Sequence, residues 1–194
     1  MTRALVLFAH PVPESFSAAL HREIVSRLAA SGWQVDDCDL YAEGFSPILT
    51  AEERRHYHDR PANIEPVRPY VERLRAAEAL VLVYPVWNFG FPAILKGFFD
   101  RVFLPGVSFR MVDGRVRPNL LNIRRLAAVA TYGGTWLRAL LAGDPPRRVV
   151  TRPLRYVMHP AARTRYLALY DLNRATEARR MAFLARVGAA MERL

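Results

Sequence analysis

The chain contains a single cysteine, Cys38, and a single lysine, Lys96. One thiol excludes an intrachain disulfide and any metal cluster built on cysteines. Cys38 falls in a predicted strand, where a buried thiol is inert. No apolar run approaches the roughly 18–20 residues that a membrane-spanning helix needs, so no stable membrane insertion is expected. There is no GxGxxG or P-loop before the first helix and no GxSxG elbow, which leaves a nucleophilic hydrolase unsupported. His56 and His58 stand two apart in a polar segment, no carboxylate–histidine spacing fits one helix face, and no metal site is expected. Ala4–Ala9 opens without a basic leader or a cleavage site, so it reads as a first strand and not a signal peptide. A cytoplasmic location is the resulting expectation.

With 194 residues, 52% of them hydrophobic, the chain is long enough for one domain with a substantial core, and residues 1–194 read as a single unit. The net charge is +10 and the pI is about 10.6, carried almost wholly by arginine. Such basicity favours anionic partners, phosphates and nucleotides among them. The arginines are spread along the chain, denser at Arg147-Arg148, Arg152 to Arg165 and Arg174 to Arg186. No aromatic-studded RNA motif or recognition-helix pattern accompanies them, so nucleic acid is not the expected partner.

Ala4–Ala9 is the first strand. Ser15 caps a helix over Phe16–Ala30, whose apolar positions Phe16, Leu20, Ile24 and Leu28 recur at helical spacing and which Ser31-Gly32 ends. Trp33–Leu40 reads as a second strand. The polar, proline-bearing stretch Tyr41–Pro69 is a connection with a short helix near Ala51–His58. A helix over Tyr70–Ala77 leads into a strand at Ala79–Tyr84, and Ala93–Phe103 is the next helix. Leu104–Leu121 is a loop with a small hairpin at Asp113-Gly114. Leu126–Thr131 is a fourth strand, Thr135–Leu141 begins a helix, Thr164–Tyr170 is a fifth strand, and Thr176–Arg193 is an amphipathic closing helix. This alternation predicts an α/β three-layer sandwich around a five-stranded parallel sheet, and the order 2-1-3-4-5 fits the count.

Four segments at strand ends carry the candidate chemistry. In His10-Pro11-Val12-Pro13-Glu14-Ser15-Phe16-Ser17-Ala18-Ala19-Leu20, two hydroxyls and main-chain N–H groups meet at a helix N-terminus, a place suited to phosphate. The same residues fit an ordinary helix cap equally well, with Ser15 bonded to the backbone and Ser17 solvated. Tyr84-Pro85-Val86-Trp87-Asn88-Phe89-Gly90-Phe91-Pro92 is a stiff aromatic turn in which the prolines restrict the backbone and Gly90 relaxes it. It forms a surface suited to a flat ring. Thr131-Tyr132-Gly133-Gly134 lets main chain approach a ligand closely. Thr176-Glu177-Ala178-Arg179 opens the last helix. Lys96 pairs with Asp100 at i,i+4 spacing, and Gly143-Asp144-Pro145-Pro146-Arg147 has no evident physical role.

These segments resemble, in order and position, the NAD(P)H:quinone oxidoreductases of flavodoxin-like fold. The first matches that family's His-Pro-x-x-x-Ser-Phe-Asn-x-Ala-Leu phosphate loop with Ser17 in place of asparagine; the second matches its flavin-ring loop, and the third its Thr-Thr-Gly-Gly or Thr-Tyr-Gly-Gly turn. The resemblance implies a flavin held by His10, Ser15, Phe16, Ser17, Ala19, Pro85, Val86, Trp87, Asn88, Phe89, Thr131, Tyr132, Gly133, Gly134, Glu177 and Arg179. It implies FAD in preference to FMN, because of the Ser15–Ser17 loop and the Arg179 match. It also implies NAD(P)H as co-substrate, a quinone-like acceptor, ping-pong hydride transfer through flavin N5, and a homodimer. Tyr132 is the expected polar side chain near the acceptor, and His159 the candidate for the family's catalytic histidine. Two other classes stand beside this reading: a flavin- or nucleotide-binding regulatory subunit of a membrane transporter, and a basic nucleic-acid-binding α/β protein.

Overall fold

The structure, a computed structural model, describes residues 2–194. The elements follow as β1 (Arg3–Phe8), α1 (Phe16–Ala30), β2 (Gln34–Asp39), α2 (Ala51–Arg55), α3 (Arg68–Ala76), β3 (Ala79–Val86), α4 (Ala93–Val102), β4 (Phe109–Val112), β5 (Arg115–Pro118), β6 (Arg125–Tyr132), α5 (Trp136–Leu141), α6 (Pro145–Val149), β7 (Arg163–Leu169) and α7 (Glu177–Met191). Five strands pair in parallel in the order β2-β1-β3-β6-β7. β4 and β5 form a separate antiparallel hairpin turning on Asp113-Gly114. Counted without that hairpin, the sheet has the expected 2-1-3-4-5 order.

The central strands β1, β3 and β6 are buried on both faces, which is why they read as unbroken apolar runs. Alternate residues separate two cores. Leu5, Leu7, Leu80, Leu82, Leu126 and Ala128 face the layer that holds Val71, Leu74, Leu95 and Phe98 of α3 and α4. Ala4, Val6, Phe8, Val81, Val83 and Val129 face Leu20, Ile24 and Leu28 of α1 and Phe183, Val187 and Met191 of α7. Cys38 lies fully buried in β2, and burial pushes its thiol far above the ordinary range, so it has no thiolate chemistry. Among the described residues no helix is long and apolar enough to cross a membrane.

Local chemistry sets the ends that matter. Ser15 Oγ accepts the Ala18 N–H at 3.1 Å and starts α1 where expected. Thr50 and Glu53 form a reciprocal capping box at the start of α2, which stops at Arg55, short of the expected His58. α4 lies so close to the Tyr41–Pro69 connection that a Cβ on Gly97 would come within 2.3 Å of the Pro47 carbonyl oxygen, so only glycine fits there. β3 and β6 run past their predicted ends and take in Pro85, Val86 and Tyr132. Pro85 is tolerated because the β1 ladder stops at Phe8–Val83, leaving no β1 acceptor for the N–H that proline lacks. The segment between α5 and β7, left without an assignment by the sequence, holds α6 and a widened helical turn at Val150–Leu154. Pro145 and Pro146 occupy the first helical positions, where missing N–H groups cost nothing, so a pair that looks like a break is a start.

Candidate functional site

The carboxyl ends of β1, β3, β6 and β7 open on one trough, on the edge where open α/β sheets bind ligands. One half, about 290 Å³, is lined by His10, Ser15–Ser17, Trp87, Thr131, Leu172 and Asn173. The other half, about 370 Å³, lies between the Asn88-Phe89 turn and the Gly133-Gly134 turn, with Arg138 at its wall. Val86, Gly133 and Asn173 line both halves, so the trough is continuous. A larger cavity, about 520 Å³, lies elsewhere, between α2 and the end of α4. Its Glu53, Glu65 and Asp59 are already held by Arg101, Arg68 and His56, so size does not mark the site.

The trough is distinguished by its open donors. The N–H groups of Phe16, Ser17, Asn88, Phe89, Gly133 and Gly134 donate to no acceptor among the described residues. At Phe16 and Ser17 this is the ordinary consequence of a first helical turn, and no acidic residue lies in that turn to fill it. A ligand with a phosphate at one end and carbonyl or ring-nitrogen acceptors along an edge matches this donor set, and a flavin has both.

Both first-loop hydroxyls are engaged within the protein. Ser15 is the helix cap. Ser17 is 3% exposed, and its hydroxyl shares a 3.2 Å hydrogen bond with Thr131 Oγ1, tying the β1 loop to the end of β6. The local reading of Ser17 as solvated is thereby corrected. Ala19 donates its N–H to Ser15 O at 3.1 Å, so its amide is spent inside α1 and offers nothing to a phosphate. His10 accepts the Val12 N–H on Nδ1 at 3.0 Å and tilts against the Trp87 ring, 5.8 Å between centroids. Partial burial lowers its pKa and keeps it neutral.

In the aromatic turn the conformational freedom sits elsewhere than expected. Trp87 and Gly90 exchange both main-chain hydrogen bonds, at 3.2 and 2.8 Å. The two residues between them, Asn88 and Phe89, have φ of 48° and 56°, as in a primed two-residue hairpin turn. Gly90 has no positive φ. A phenylalanine in the left-handed region costs about 1–3 kcal/mol, a strain that concentrates at functional sites. It presents the Phe89 and Trp87 rings, 46% and 42% exposed, on either side of the turn.

Tyr132 lines the outer half of the trough, as expected of a residue near an acceptor, but its hydroxyl is engaged within the protein. Its hydroxyl points inward and donates to Asp144 Oδ1 at 2.6 Å while meeting the Tyr166 hydroxyl at 2.6 Å. Tyr84 donates to Tyr166 at 3.3 Å and Tyr170 donates to Asp144 Oδ2 at 3.2 Å. Burial drives the Tyr132, Tyr166 and Tyr84 pKa values far above the ordinary range; Tyr166 and Asp144 add to it at Tyr132 and Tyr84, while at Tyr166 the bonds with Tyr132 and Tyr84 partly oppose it, and these phenols stay protonated. The Gly143-Asp144 segment thus has a role the sequence hid: Asp144, at φ 45°, is the shared acceptor that fastens α6 to the sheet beneath the trough.

His159 is at the wrong end of the sheet. Its N–H bonds to Ile123 O ahead of β6 and its Nδ1 accepts the Ala161 N–H. The seven steps of β6 separate it from Gly133 by about 23 Å at ~3.3 Å per residue. Arg179 lies on the correct edge but is tied down, donating to Tyr170 O at 2.8 Å; Glu177 is the first residue of α7 and is exposed. The residues that sequence reasoning passed over are Asn173, which a Cβ on Gly133 would meet at 3.2 Å, and Arg138. Asp171 N–H, bonded to Gly134 O at 2.7 Å, pins Asn173's loop against the glycine turn. No local motif marks that connection.

The chain is 27% identical over 168 residues to rat (Rattus norvegicus) NAD(P)H dehydrogenase (quinone) 1, covering 78% of this chain and 61% of that protein. It is 32% identical over 133 residues to an uncharacterized NAD(P)H oxidoreductase of Escherichia coli (strain K12), covering 68% and 65%. The matched regions therefore span a little under two thirds of those relatives' lengths. The solved NAD(P)H:quinone oxidoreductase from Methanothermobacter marburgensis superposes with a TM-score of 0.82 at 24% identity, covering 98% of each chain. The family model described as flavodoxin-like fold matches residues 2–186, and the chain belongs to that family.

Proposed function

We propose that this protein is a flavin-dependent NAD(P)H oxidoreductase acting on quinone-class acceptors. The observation that carries the proposal is the continuous trough of unpaired main-chain donors running from the α1 N-terminus to the Gly133-Gly134 turn. Phe16 and Ser17 N–H groups bind the phosphate, aided by the α1 dipole. Asn88, Phe89, Gly133 and Gly134 N–H groups orient the ring by its acceptor edge. Such preorganised donors stabilise charge that develops on reduction. Trp87 in the inner half and Phe89 in the outer half would offer apolar surface to a bound ring. A bound flavin supplies two-electron carriage between a reduced nicotinamide nucleotide and the acceptor.

The FMN half common to FMN and FAD is the part this chain grips. An adenosine extension toward α7 would meet an Arg179 already bonded to Tyr170 O and an exposed Glu177, which favours FMN over the FAD expected from the sequence. Beside the trough, Trp136, Leu137, Leu140 and Leu141 of α5 are exposed, Leu141 by 79%. That apolar face supports a second copy of the chain as partner, to be checked by light scattering.

The test is the visible spectrum of the purified protein with added FMN or FAD. Flavin absorption that bleaches with NAD(P)H and returns with a quinone is the expected result, and chromatography of heat-released chromophore identifies the flavin. A protein that binds neither flavin overturns the proposal.

A further inference from the structure

Arg138 is the one charged side chain lining the outer half of the trough. It shares that half with Val86, Asn88, Phe89, Gly133 and Asn173. Its stem passes beside the glycine turn, with Cβ and Cδ both 3.9 Å from where a Cβ on Gly134 would stand. Ala139, next in α5, is buried, while Arg138 itself is exposed at the cavity wall. Among the described residues no carboxylate pairs with its guanidinium and no side-chain hydrogen bond uses it; its bonds are main-chain ones, its N–H to Thr135 Oγ1 and its carbonyl from the Ala142 N–H. By contrast the half-buried Arg73 is tied to Asp36 and Glu43, and Arg101 to Glu53.

The same half of the trough lacks an acid. The Tyr132 hydroxyl is bonded inward to Asp144 and its acidity is suppressed by burial. His10 belongs to the other half and is held neutral, and His159 is at the far edge of the sheet. An aromatic acceptor reacting here therefore meets a free cation and no proton donor.

Resting on the oxidoreductase reading above, we propose that Arg138 determines acceptor specificity: it selects aromatic acceptors that carry an anionic group or develop one on reduction. The balance is explicit. NAD(P)H gives up a hydride equivalent, two electrons with one proton, and becomes NAD(P)+. A quinone receiving that equivalent becomes the hydroquinone monoanion, with its negative charge on oxygen. Arg138 stabilises that oxyanion until one proton arrives from solvent and completes the hydroquinone. A sulfonate or carboxylate on the acceptor ring meets the same guanidinium before any electron moves. Lys cannot fully replace it, because the planar fork holds two oxygens at once.

The experiment uses the flavin-loaded protein, wild type against Arg138→Gln and Arg138→Lys, with 1,4-benzoquinone as neutral acceptor and 1,2-naphthoquinone-4-sulfonate as anionic acceptor. KM and kcat are measured separately, flavin content is read from absorbance, and ionic strength is varied. The expected result is a rise of about tenfold in KM for the sulfonate in Arg138→Gln, typical of losing one charged contact. Partial rescue is expected in Arg138→Lys, together with a wild-type preference for the sulfonate that falls with added salt. A kcat that falls for both acceptors and steepens at high pH in Arg138→Gln marks the oxyanion role. Equal KM changes for the two acceptors, or an effect confined to NAD(P)H, overturns the inference alone. Loss of flavin from Arg138→Gln overturns it as well, placing the guanidinium on the cofactor. A wild-type protein that takes up no flavin overturns the oxidoreductase reading and this inference with it.

Discussion

The two edges of the parallel sheet are built from the same five strands and do opposite things with their polar groups. At the amino edge the groups close on one another. Glu78 N–H bonds to Arg3 O, and Glu78 O accepts from Arg124 and Arg125. Asn122 Nδ2 donates to both Leu74 O and Ala77 O, sealing the end of α3. His159 is bonded through both its main chain and its ring. At the carboxyl edge, α1, the primed turn and the glycine turn leave their N–H groups open. The difference teaches where function sits: donors left to solvent at the carboxyl edge stay available to a ligand, and the closed edge supplies the stability that lets the other stay open.

Filling the open edge should have the largest effect. Gly133→Val places a branched side chain where even a Cβ approaches Asn173 Nδ2 at 3.2 Å. It displaces the β7–α7 loop and covers the Gly133 and Gly134 donors. Flavin affinity should fall roughly 100-fold, about 2.7 kcal/mol, with little change in thermal midpoint. A flavin titration beside a melting curve checks it, and an unchanged affinity would remove the glycine turn from the site.

Breaking the closed edge should do the reverse. Asn122→Ala orphans two main-chain carbonyls at the end of α3 and should cost about 2 kcal/mol of stability. Urea unfolding would show this as a lower midpoint at unchanged slope. Flavin affinity should not move, because the substitution is a strand's length from the trough. Coupled losses of stability and affinity would break the comparison.

The line between what was legible in the sequence and what was not follows the same division. The α/β alternation, the Ser15 cap and the Gly-Gly turn could be read because each depends on local spacing or on one residue's backbone freedom, whereas the strand order, which joins distant segments, fitted the strand count and was fixed only by the structure. The freedom assigned to Gly90 was misplaced because the Trp87–Gly90 bonds close around the residues between them, and that register exists only once the strand runs through Val86. Gly143–Arg147 had no evident role because prolines that start a helix and prolines that break one look alike in sequence. Ser17–Thr131, Asn173 and the Asp144 cluster were invisible, since each joins positions far apart in the chain. Arg138 was one of many arginines until the structure showed which of them lines the trough.

The Asp144 cluster lies between the two edges, and its effect should be intermediate. Asp144→Asn keeps one acceptor oxygen but turns the other into a donor, so either Tyr132 or Tyr170 loses its partner. Stability should fall by about 1–2 kcal/mol. Flavin affinity should shift less than in Gly133→Val, because the cluster holds the trough from beneath. A substitution that removed flavin binding while leaving stability intact would move Asp144 from the scaffold into the site.

The smallest expected effect is a pH dependence at the open edge. Partial burial disfavours the His10 imidazolium, so its pKa in the folded protein is below the ordinary value of about 6.5. Between those two values the unfolded chain binds more protons than the folded one, and stability rises with pH. The contribution is therefore complete above about pH 6.5. It declines as pH falls toward the depressed folded value and levels off below it. The ring is only partly buried, so the slope should be shallow. His10→Asn keeps a polar side chain at the strand end and removes the titration, and its stability should be flatter than wild type over that window. A wild-type slope of the opposite sign would mean that the protonated ring is the favoured form, with His10 acting as a cation toward phosphate at the one edge where the main chain leaves its donors free.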